Sequence, residues 1–127
     1  MLTEENITKF QQFEDSGGAP FWHLNQTVLG LEIRVSDEDG KPKQKDLDLV
    51  NEIFSDLDNI ERKSINFIKK HLSVESEFSL VAIEVFPTPD RHEANSTLQF
   101  WCDDDGYLYT EVGLLDLSPH YLLTKYF

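Results

Sequence analysis

The chain has 127 residues, with 24 Asp and Glu against 11 Lys and Arg, a formal net charge of −13. Its length suits a single domain spanning residues 1–127, and 39% hydrophobic with 12% aromatic residues argues against disorder. A surface this negative repels phosphate backbones and anionic lipid heads, so neither nucleic acid nor membrane is expected as a partner, whereas a basic protein surface would be attracted.

Cys102 is the only cysteine, which rules out an intramolecular disulfide and makes a reducing, cytoplasmic setting the expectation. Met1-Leu2-Thr3-Glu4-Glu5 places acids where a signal peptide would carry bases. No stretch approaches the roughly 20 apolar residues of a membrane span.

In chain order, Ile7, Phe10 and Phe13 recur at near-helical spacing behind Thr3, a suitable N-cap, which predicts a short helix from Thr3 to Phe13. Asp15 to Pro20 reads as a loop. Phe21 to Leu24 reads as a short strand. Val28 to Val35 reads as a clearer one, because Leu29, Leu31, Ile33 and Val35 alternate with Gly30, Glu32 and Arg34. Asn25-Gln26 would turn the chain between these strands. Asp37 to Gly40 ends the second.

The strongest helical pattern runs from about Asp46 to Leu72. Val50, Ile53, Phe54, Leu57, Ile60, Phe67, Ile68 and Leu72 fall mostly on one stripe. Acids crowd its first half and Arg62, Lys63, Lys69 and Lys70 its second, an order that complements the helix dipole. Asp58-Asn59 is where such a helix would break. Phe78 to Phe86 is apolar on both faces apart from Ser79 and Glu84 and reads as a central strand under the helix.

Thr97–Cys102 and Tyr107–Leu114 flank Asp103-Asp104-Asp105-Gly106, turn chemistry for a hairpin. The tail from Leu117 to Phe127 fits either a helix begun by Ser118-Pro119 or an alternating strand. The expected fold class is α+β: an antiparallel sheet of about five strands, one long helix packed on one face, and a short N-terminal helix.

No motif for catalysis, cofactor or metal emerges. A calcium loop needs an acid five places before its Gly, but Trp101 stands there for Gly106 and Val35 for Gly40. His23, His71, His92 and His120 neither pair at zinc-ligand spacing nor form HExxH. His92-Glu93 reads as an exposed loop pair, and His71 as a cation suited to a helix end. Cys102, beside Trp101 on a strand, reads as a buried small hydrophobe. Gly17-Gly18 precede Pro20 and a strand, unlike a phosphate-binding loop.

Two surface features remain as candidate partner-binding groups. Asp48, Glu52 and Asp56 lie four apart, forming an acidic line whose like charges disfavour the helix slightly. Trp101 and Tyr107 bracket Asp103, Asp104 and Asp105, joining aromatic and negative groups as at hot spots that meet Lys or Arg. The ordinary alternatives are a solvated helix face and a core tryptophan.

Phe21-Trp22 opening a hairpin, the acidic-to-basic helix, the apolar Phe78–Phe86 strand and Phe100-Trp101 leading into Asp103–Gly106 give the chain an order of elements that resembles small bacterial immunity proteins of polymorphic and contact-dependent toxin systems. The resemblance implies a non-enzymatic protein that inhibits one cognate basic toxin, often a nuclease, by occluding its active site. Two other readings compete: an adaptor or structural domain without a toxin partner, and a small enzyme or ligand-binding domain assembled from scattered groups such as His23, His92 or His120.

Overall fold

The computed structural model describes residues 2–5, 10–14, 20–24, 28–36, 41–73, 75–86, 93–102 and 108–126. Seven strands and two helices follow one another in these segments. They are β1 (Phe10–Glu14), β2 (Pro20–Leu24), β3 (Glu32–Val35), α1 (Gln44–Ser55), α2 (Leu57–Leu72), β4 (Phe78–Val85), β5 (Ser96–Cys102), β6 (Leu108–Leu115) and β7 (Ser118–Tyr126). The strands form one sheet in sequential order, β1 to β7.

Every neighbouring pair is antiparallel except β3–β4, which is parallel with Ile33 opposite Ile83 and Val35 opposite Val85. A parallel pair needs a long crossover, and α1 with α2 supplies it. The sheet therefore has seven strands with one parallel step, where the sequence suggested about five antiparallel ones.

Of the helix expected over Thr3–Phe13, residues 6–9 lie outside the described residues, and the last part is strand instead. Residues 10–14 are the edge strand β1, paired with β2 through Gln11–His23 and Phe13–Phe21. Two aromatics three apart share a helix face but lie on opposite faces of a strand. Phe10 is buried in the core, whereas Phe13 stacks on Phe21 across the other face at 5.7 Å. Pairing with a neighbouring strand outweighed a weak helical spacing.

The long helix is two helices. Asp56 ends α1 and precedes α2 with φ −132°, ψ 30°, two residues before the break expected at Asp58-Asn59. Leu47, Val50 and Ile53 from α1 and Ile60 and Ile68 from α2 are almost wholly buried. They meet Ile33, Val35, Ile83, Val85, Leu98, Phe100, Val112 and Leu114 from the sheet in one core. With α1 over β4 and α2 over β6 and β7, the helices occupy a single face. β4 is the central strand, fourth of seven. The ambiguous tail is strand, β7.

The Val28–Val35 strand divides. Val28 and Leu31 bond each other through Val28 N to Leu31 O, 3.0 Å, and Leu31 N to Val28 O, 2.9 Å, closing a two-residue turn at Leu29-Gly30. Only Glu32–Val35 continues as β3. β2 and β3 do pair antiparallel, with Trp22 opposite Val35, but the turn expected at Asn25-Gln26 lies outside the described residues.

Candidate functional site

α1 begins where Lys43 N donates to the buried Asp46 carboxylate at 3.0 Å, so this acid is spent on capping the helix. The next three acids are not. Asp48 and Glu52 are exposed one turn apart, and exposed Asp56 follows at the C-cap. Gln44 Nε2 donates to Asp48 Oδ1 at 2.8 Å, and Asn59 Nδ2 donates to Asp56 Oδ2 at 3.1 Å. Among the described residues none of the three carboxylates forms an ion pair.

The N-terminal segment is strapped alongside. Leu2 and Asn51 exchange two 2.9 Å hydrogen bonds. Glu4 and Gln44 do the same, each backbone N donating to the other's side-chain oxygen, so Glu4 adds a fourth carboxylate near the helix start. Shallow depressions flank the acidic line. One of about 380 Å³ lies against Leu2, Thr3, Asn51 and Ser55. The other, about 390 Å³, lies against Lys45, Leu49, Phe86 and Asn95. Asp48 and Glu52 border both.

The negative surface continues past the helix break. Asp58 is exposed, and burial followed by the charge of Asp58 raises the Glu61 pKa above the usual carboxylate range. Beside this junction a third depression of about 380 Å³ lies among Leu29, Phe54, Ser55, Asp56, Leu57 and Asp58. Leu29 is 78% exposed and has φ +54°, with Gly30 at +79°. Two successive positive φ values closing a two-residue loop mark a type I′ turn, which favours Asn, Asp or Gly. A leucine held in the left-handed region costs roughly 1–2 kcal/mol. Reading 28–35 as one alternating strand concealed this turn, although Gly30 was its signal.

Trp101 does not join the helical acids. It alternates with Leu98 and Phe100, which face the core, and so stands on the sheet face away from the helices. There it meets Tyr109 edge to face at 5.5 Å. Asp103, Asp104, Asp105 and Tyr107 lie outside the described residues, as does His92.

That opposite face carries a polar network that no sequence motif indicated. Arg34 donates to Gln99 Oε1 and to Glu32 Oε2, each at 2.8 Å. Gln99 Nε2 and Ser36 Oγ donate to Glu84 at 3.2 and 3.0 Å. Tyr109 OH donates to Glu111 Oε1 at 3.2 Å, and His23 Nε2 lies 3.9 Å from Glu32. Burial raises the Glu84 pKa against the lowering effect of the Ser36 bond. Burial and Glu111 hold the Tyr109 hydroxyl well above its usual range. Cross-strand register could have exposed this network: Arg34 stands opposite Glu84 and Gln99 opposite Glu111.

Cys102 is free and buried. His71 is exposed at the end of α2 against Phe67, ring centroids 4.3 Å apart, and His120 is exposed beside Tyr121. Among the described residues no three His, Cys, Asp or Glu side chains converge as a metal site, and no helix is long and apolar enough to cross a membrane. Comparison with models of known families, with curated proteins and with solved structures found no match to this chain.

Proposed function

We propose that this chain is a binding protein that receives a cationic protein on the exposed acidic face of α1. The observation that carries the reading is the row Asp48, Glu52 and Asp56: three exposed carboxylates, none in an ion pair among the described residues. Within α1, Asp48 and Glu52 are like charges four apart, which disfavours the helix by a few tenths of a kcal/mol, and Asp56 extends the negative surface at the C-cap. A domain using acids only for capping and solubility has no need to align them. Opposed to lysine or arginine, the same row becomes favourable, because close interfacial charge pairs couple by about 1.5–7 kcal/mol where measured.

The partner that fits the charge is a basic toxin domain of a polymorphic or contact-dependent system, with this chain as its cytoplasmic immunity protein. Its carboxylates would take the place of an anionic substrate, such as a nucleic-acid backbone, in a positive cleft and occlude the active site. No catalytic or cofactor role is assigned to the chain.

The test is affinity purification from the native host with the wild-type chain and with the Asp48→Lys, Glu52→Lys, Asp56→Lys variant. The wild type should retain a basic protein whose gene adjoins its own, and the variant should lose it. Equal recovery by both chains, or none by either, would remove the acidic face from the account.

A further inference from the structure

We propose that Leu29 is the apolar anchor of the same docking surface, inserted into a socket on the partner that is ringed by lysine or arginine. The inference rests on the cationic-partner reading and adds the residue that gives it grip and specificity. Leu29 is the most exposed large hydrophobic residue described, at 78% against 41% for Phe13 and 44% for Leu123. It projects from a turn closed by two backbone hydrogen bonds, beside the α1–α2 junction where Asp56 and Asp58 are exposed.

An apolar tip framed by carboxylates is the arrangement of an interface hot spot, in which a central side chain is desolvated and its polar rim excludes water. The charge of the rim selects the occupant. Nucleic acid and anionic lipid are repelled, and a second copy would bring its own Asp56 and Asp58 against the first. A cationic protein surface with an apolar pocket satisfies both halves.

Position within the turn supports the assignment. Asn at position 29, followed by Gly30, would be the favoured type I′ pair, so the leucine is not what the backbone asks for. Nor is it held by the core, from which its exposure excludes it. Local folding preference and side-chain packing both leave it unexplained, while an external contact explains it.

The test uses the full ¹⁵N-labelled chain and two synthetic amphipathic peptides of equal charge, one of leucine and lysine, the other of alanine and lysine. The leucine peptide should shift the amides of Leu29 and of Phe54–Asp58 and bind about tenfold more tightly than the alanine peptide, the factor expected for burying one leucine side chain. In Leu29→Asn that preference should vanish while the thermal midpoint rises by about 3 °C, which separates lost contact from lost fold.

Undiminished preference in Leu29→Asn, or shifts confined to the opposite sheet face, would overturn the anchor. If the triple lysine variant still abolishes binding of both peptides, the acidic-face reading survives that result. If the triple variant binds them as well as wild type, that reading falls and the anchor with it.

Discussion

Among the described residues two leucines are left-handed, each in a two-residue turn, and they are held for different reasons. In the β6–β7 hairpin Asp116 has φ +49° and Leu117 +63°; in the Val28–Leu31 turn Leu29 has +54° and Gly30 +79°. Each turn pairs one suited residue with one unsuited leucine. Leu117 packs against the core, so burial offsets its backbone cost. Leu29 has no such return within the chain, being 78% exposed. Strain balanced by packing belongs to the fold, whereas strain left unbalanced at an exposed apolar residue points outside it.

The largest effect bearing on this contrast should come from Gly113→Ala. In β6 a Cβ at this position would run into the Tyr121 ring lying over it from β7. Such overpacking should destabilise by about 1–3 kcal/mol in a denaturant melt. A neutral result would mean that the β6–β7 hairpin is less tightly packed than the comparison requires.

Next in size, Leu117→Asn should relieve the turn but forfeit core contacts, for a net loss of about 1–2 kcal/mol. Stabilisation instead would show that packing does not hold Leu117, and the two turns would then be alike. In the other turn, Leu29→Asn should stabilise by about 0.5–1 kcal/mol, the opposite sign from the same substitution at 117.

The smallest effect lies on the far sheet face and serves as a control remote from both turns. Burial raises the Glu84 pKa above its ordinary 4.5, so the folded state holds this proton more tightly than the unfolded chain. Its contribution to stability therefore declines as pH rises from about 4.5 through the folded value. Glu84→Gln should remove that decline, so its thermal midpoint relative to wild type should climb as pH rises across this window. A constant difference would mean that Glu84 is not desolvated. Binding of a basic partner to the helix face should be unchanged.

Much of this architecture is legible in the residues. The stripe of Val50, Ile53, Ile60 and Ile68 places the helical layer because apolar periodicity survives the break at Asp56. The nearly continuous apolar run from Phe78 to Phe86, interrupted at Ser79 and Glu84, likewise marks the central strand. Phe10 and Phe13 mislead because two aromatics three apart fit either period. Leu29 misleads for a related reason, since a tight turn between Val28 and Leu31 leaves the apolar alternation intact while reversing the chain. The spacing of Asp48, Glu52 and Asp56 marks them as a candidate row, of which Asp48 and Glu52 lie within α1 and Asp56 at its C-cap. The Arg34, Glu84 and Gln99 network carries no such mark, because its members are brought together only by the register of three strands.

Association kinetics test the central claim most directly. With the basic partner recovered from the native host, the wild-type chain should associate fast at low salt and slow steeply as ionic strength rises. The Asp48→Lys, Glu52→Lys, Asp56→Lys variant should associate at least tenfold more slowly at low salt and lose most of that salt dependence. If the two chains associate at the same rate with the same salt slope, the acids of α1 are a solvent coat and the docking surface lies elsewhere.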